Sequence, residues 1–179
     1  PKNGLPDDFL KDKILIDEIL KLLDTFIKIH IENQINAGAT IIQIFDSWAG
    51  LIKKDFDRFL YNPTISLVNH VKKLGVPVIC FPRGISDYVK FSKLVKPSMI
   101  NIDYNVDAEN IVKSLDIPIQ GGLDPKLLLT DKEILKRETQ KYLEIFKDHP
   151  YVFNLGHGIL PETEVEMVYE LIEIVRGYK

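Results

Sequence analysis

Two hydrophobic spacings alternate along the chain. Over residues 7–37 the apolar positions Ile16, Leu20, Leu23, Ile27, Ile31 and Ile35 recur every three or four residues, the period of one helix face. Gly38 follows as a helix stop. Five short apolar runs lack that period: residues 40–45, 76–81, 99–102, 117–120 and 151–153. Each is β-branched or aromatic in character and ends on a Gly, Pro, Asp or Asn cluster, so each reads as a buried strand. Helical stretches fall between them. One covers residues 54–74, with a break expected at Asn62-Pro63 because the residue before proline disfavours the helical well. A short helix spans residues 86–95, and Asp107 can cap another that runs to Leu115. Thr130 and Glu133 form a capping box for a helix carrying Leu135, Tyr142, Leu143 and Phe146. Thr163 and Glu166 form a second box for the last helix, with Val165, Val168, Ile172 and Val175 facing inward.

Strict alternation of strand and helix predicts a parallel α/β sheet with right-handed crossovers. A doubly wound sheet and a (βα) barrel fit that alternation equally well. No G-x-G-x-x-G follows a strand, so the dinucleotide fingerprint is missing, while five units are too few to close a barrel of eight. The pattern shows no linker, so residues 1–179 read as one domain.

Composition narrows the function. With 23 basic and 26 acidic residues the formal charge is −3, which provides no broad basic field for nucleic acid. No apolar run is long enough to span a bilayer, and no signal segment opens the chain, so no membrane partner is expected. A single cysteine, Cys80, excludes an internal disulfide framework and suits the cytoplasm. The chain opens on Pro1 rather than methionine, which reads as a start cut away from something longer.

In a parallel sheet the strand C-termini share one edge, and the loops there bring Asp46, Ser47 and Trp48, Arg83, Asp103 and Tyr104, Gln120 and Asp124, Asn154 and His157 to one cleft. That set suits an oriented polar or anionic ligand. His157 stands between Gly156 and Gly158, where the main chain can turn and a ligand can approach it closely. Bracing the turn through a backbone carbonyl is the bland reading of that ring. His30, His70 and His149 fall in or at the ends of helical patterns and read as surface residues. Ser47 serves equally well as a turn hydroxyl or a ligand contact. Asp103 reads as a cap on loop amides and Trp48 as a lid. Arg83 can pair with a neighbouring aspartate or hold a carboxylate bidentately. Cys80, in mid-strand, reads as inert core. The sequence has no H-E-x-x-H, no close histidine pair and no cysteine beside a histidine, so no metal site is expected.

Four strand-end motifs carry a resemblance. Gln43-Ile44-Phe45-Asp46-Ser47-Trp48-Ala49-Gly50 resembles the Q-[IL]-F-[DE]-S-x-A-G segment of the uroporphyrinogen decarboxylase family, and Phe153-Asn154-Leu155-Gly156-His157-Gly158 matches its F-N-L-G-H-G. Gln120-Gly121-Gly122-Leu123-Asp124-Pro125 is similar to Q-G-N-L-D-P, with Gly122 in the Asn place. Ile102-Asp103-Tyr104-Asn105-Val106-Asp107 is similar to L-D-W-T-V-D, with Tyr104 for Trp and Asn105 for Thr. The resemblance implies a TIM-type (βα)8 barrel of which this chain holds the C-terminal five strand–helix units. It further implies a cytoplasmic homodimer working without metal or cofactor, and the conversion of uroporphyrinogen III to coproporphyrinogen III with loss of four CO2. Ser47 and His157 match substrate-contacting positions, and Arg83 stands where the family has a basic residue. The family's N-terminal arginines, pyrrole-gathering aspartate and tyrosine find no counterpart, so no catalytic residue is expected within the chain. Two other readings stand beside this one: a zinc-dependent corrinoid or thiol methyltransferase of the same superfamily, and a non-catalytic tetrapyrrole-binding remnant. A His-x-Cys at a strand end would favour the former.

Overall fold

The computed structural model describes residues 11–178, so the expected first helical turn at residues 7–10 lies outside it. The elements are α1 (Lys13–Asn36), β1 (Ile42–Asp46), α2 (Asn62–Lys73), β2 (Val78–Pro82), α3 (Tyr88–Val95), β3 (Met99–Ile102), α4 (Ala108–Ser114), β4 (Ile119–Gly121), α5 (Lys132–Phe146), β5 (Tyr151–Val152) and α6 (Val165–Gly177). All five expected strands are present and pair in parallel.

Their spatial order, β1-β2-β3-β4-β5, repeats the chain order. A doubly wound sheet reverses direction at a switch point, and this one does not. With right-handed crossovers, unbroken order puts every helix on one face. That face holds the main core: Ile42, Val78, Cys80, Ile100, Ile102 and Ile119 pack against Val68 and Val71 of α2, Phe91 of α3 and Phe146 of α5.

Alternation sends the intervening residues to the opposite, concave face. There Gln120 Nε2 donates to Asn101 Oδ1 at 2.8 Å and to Gln43 Oε1 at 3.2 Å. β4 and β1 have two strands between them, a separation of roughly 14 Å in a flat sheet. The two amides meet only because the sheet curls strongly, which is the curvature of a barrel wall. The concave face is therefore not purely apolar: Gln43, Asn101 and Gln120 line it beside Phe45, Ile79 and Phe81.

Several local expectations need correction. Residues 57–61 form a wide helical turn in which Asn62 N bonds Asp57 O, and it runs without a gap into α2. Asn62, the pre-proline residue, sits in the helical well at φ −61°, ψ −46°. The widened i→i+5 turn makes room for the Pro63 ring, so no break occurs. Both Thr capping boxes are displaced by one residue. Asp131 caps α5 by accepting from Ile134 N at 2.8 Å, while the Thr130 hydroxyl turns back to Leu127 O. Glu164 precedes α6 without a side-chain cap, and the Thr163 hydroxyl is buried with no partner among the described residues. On α6, Leu171 is the buried residue, flanked by Met167, Val168, Ile174 and Val175. Val165 and Ile172 face out at 61% and 37% exposure. On α1, Ile16 and Ile31 are buried but Leu23 and Ile27 are exposed. α2 contacts that helix through Lys28–Ser66 and His70–Glu32, and the wide turn before α2 adds Arg58–Asp17.

Candidate functional site

Four strand-end loops lock together through main-chain contacts. Asp46 and Pro82 are register partners, and Arg83 N donates to Asp46 O at 3.0 Å. Gly50 N donates to Arg83 O at 2.9 Å, which closes the Ser47 loop over the Arg83 turn. Gly84 N, on the same turn, donates to Asp103 Oδ2 at 2.7 Å, and Asn105 N donates to Asp103 Oδ1 at 2.8 Å. Asp103 is only 2% exposed, so its carboxylate is a buried clamp between the β2 and β3 loops. This is the amide-capping role expected of it. From the far side Gly156 presses on the same segment: a Cβ there would stand 2.3 Å from Tyr104 N.

His157 follows directly. Its half-buried ring has a pKa lowered by burial first, then by the Arg83 guanidinium, with Asp103 acting weakly the other way. The structure thus brings Arg83, Asp103 and His157 within electrostatic reach of one another. The Arg83 guanidinium forms no ion pair among the described residues, so the aspartate partner allowed by its sequence position is not realised. Ser47 is half-buried at the end of β1, and its hydroxyl has no partner among the described residues. Asp46 accepts from Trp48 N, and burial raises its pKa.

Other strand-end candidates are spent elsewhere. Gln120 belongs to the concave-face amide ladder, Asn154 accepts from Leu155 N, and Asp124 caps the turn after β4 by accepting from Lys126 N. Trp48 is 66% exposed and covers little, so it is no lid within the described chain. His149, expected at the surface, is half-buried with a ring nitrogen 3.0 Å from Ile117 O. Cys80 is 1% exposed and its thiol is pushed up to about 12 by burial, as inert core requires. Sequence reasoning missed the Gln43–Gln120–Asn101 ladder, whose only trace was a glutamine at the same strand phase in two distant motifs. A cavity of about 460 Å³ also lies to the side, between α4 and α5, lined by Tyr104, Gly122, Asp124, Lys141 and Tyr142.

The model of the uroporphyrinogen decarboxylase family matches residues 5–178. This chain belongs to that family. The uroporphyrinogen decarboxylases of Rickettsia conorii and Rickettsia africae are each 40% identical to it over 174 residues, covering 94% of the chain and 50% of their own length. The Rickettsia bellii enzyme is 39% identical and 51% covered. The chain therefore spans about half the length of the curated relatives it matches, in keeping with a curled five-stranded part of the uroporphyrinogen decarboxylase barrel. Where its Q-G-G-L-D-P segment departs from the Asn of the motif, Gly122 has φ +102° and a Cβ would fall 1.8 Å from the Tyr142 hydroxyl. Tyr142 occupies the room that a larger residue at position 122 would need.

Proposed function

We propose that this chain supplies one wall of the substrate cleft of a uroporphyrinogen decarboxylase, a carboxy-lyase that takes uroporphyrinogen III to coproporphyrinogen III with loss of four CO2. The family match over residues 5–178 carries this reading. The chemistry needs a proton delivered to a pyrrole carbon, which turns the ring into an iminium-like electron sink. The acetate C–C bond then breaks toward it and CO2 leaves. The residues here are suited to holding the substrate rather than to that proton transfer. The guanidinium of Arg83 and the hydroxyl of Ser47, without partners among the described residues, and the ring donor of His157 are all groups that bind carboxylates. The working enzyme is a cytoplasmic homodimer in this reading.

Two outcomes are expected. The 179-residue chain, incubated alone with uroporphyrinogen, yields no coproporphyrinogen, because Arg83 is the only arginine at a strand end and no group stands ready as the acid. Turnover by a monodisperse monomer would sink this division of labour. In the complete enzyme, His157→Ala lowers kcat/KM by about tenfold, the loss of one hydrogen bond to a charged group. The melting temperature stays unchanged, since the ring is on a loop and leaves no core cavity. Wild-type kinetics in that variant would reduce His157 to a structural residue.

A further inference from the structure

His157 carries more detail than a cleft position. The Gly158 N–H donates to its Nδ1 at 2.5 Å. A ring nitrogen that accepts from a peptide N–H holds no proton itself, so the neutral ring must carry its proton on Nε2. Nε2 has no protein partner among the described residues. The loop cannot easily swing to exchange these roles, because Gly156 is wedged against the Asp103–Tyr104 main chain on one side. The charged groups that reach the ring are Arg83, from the end of β2, and Asp103, from the end of β3. Asp103 already accepts from Gly84 N and Asn105 N, whereas Arg83 has no ion-pair partner among the described residues. A cation left unpaired beside the ring disfavours a second proton.

We propose that the Gly158 N–H is a positioning group that fixes His157 as a neutral Nε2–H donor, so that this corner of the cleft takes an acceptor oxygen, a carboxylate, and does not transfer protons. This deepens the decarboxylase reading and rests on it for the identity of the carboxylate. It leaves the recognition of charge to Arg83 and gives His157 the directional part. A donor fixed by the backbone keeps its orientation across the pH range in which an ordinary histidine, with a pKa near 6.5, would lose its tautomeric identity.

Long-range nitrogen-15 spectra of the labelled full chain read the tautomer directly, without activity or ligand. Expected is the Nε2–H pattern at pH 7.5, persisting to a protonation midpoint below 6.5. An Nδ1–H pattern, an averaged mixture, or a midpoint above 6.5 overturns the proposal. Gly158→Pro removes the N–H and is expected to yield the mixture, while Gly158→Ala, whose Cβ meets nothing within 4 Å, keeps the Nε2–H pattern. An unchanged pattern in Gly158→Pro would remove the positioning role.

Binding of uroporphyrin, a stable octacarboxylate probe, adds the functional arm. His157→Gln sets an amide N–H2 near the Nε2 place and should bind within about threefold of the unsubstituted chain. His157→Asn, which mimics Nδ1, should weaken binding about tenfold. The reverse order overturns the donor assignment. No binding of uroporphyrin when the same variants are compared in the complete enzyme sinks the substrate reading instead, and the spectra still decide the tautomer.

Discussion

Asp103→Ala is expected to destabilise the folded chain by about 4 kcal/mol. The carboxylate is almost wholly enclosed and accepts from two backbone amides, Gly84 N and Asn105 N, with the Tyr88 hydroxyl also within 3.5 Å. Alanine removes two partly buried hydrogen bonds to a charged acceptor, worth roughly 1.5–3 kcal/mol each. Against a typical total of about 5–15 kcal/mol, that is a large share. Urea titration followed by circular dichroism gives the value, and a change under about 1 kcal/mol would show that water satisfies these amides. The carboxylate also acts to hold the His157 pKa up, so Asp103→Ala should lower the His157 midpoint further. The sign follows from the causes: Asp103 opposes burial and the Arg83 guanidinium, and Arg83 keeps its main-chain bonds to Asp46 O and Gly50 N when the carboxylate is gone.

Gly156→Ala comes second in expected effect. Its new methyl would stand 2.3 Å from Tyr104 N and 2.8 Å from Tyr104 Cα, which are main-chain atoms held by the Asp103 clamp and cannot yield as a side chain can. Overpacking of this kind costs about 1–3 kcal/mol. The strain has one outlet, which is to push the Asn154–Gly158 loop away from the β3 loop. Uroporphyrin binding should therefore fall along with stability, in contrast to Gly158→Ala two residues on, which adds its methyl to open space. Equal melting temperatures for the two variants would end the argument.

How far the fold could be read from sequence depended on whether a signal was local. Strand existence was legible because runs such as Met99-Ile100-Asn101-Ile102 are too short and too β-branched for helices. The cap at Asp107 was legible because an aspartate one residue before the helix start at Ala108 offers its oxygen to Asn110 N. The Thr130 and Thr163 boxes misled because the residue after each threonine, Asp131 and Glu164, holds the cap position instead. Which side chain wins a cap depends on where the preceding turn points, and a spacing rule cannot see that. The choice between a doubly wound sheet and a barrel wall was out of reach for a deeper reason. It is settled by contacts such as Gln43 with Gln120, which are 77 positions apart. In the site, Ser47, Arg83 and His157 could be placed at one edge from strand phase alone. The interlocking of their loops could not, since it runs through peptide groups that every sequence shares.

Cys80 turns the inertness of the sheet core into a measuring device. It is the only cysteine in the chain, sits in mid-β2 under the helix layer, and its thiol is held at about 12, far from the reactive thiolate at neutral pH. An alkylating reagent meets it only when the helices lift from the strands. The rate at which the protein gains one adduct in a mass spectrum is then a clock for that opening. It runs without a dye, a tag or any engineered residue, and the Asp103 and Gly156 variants should make it run faster.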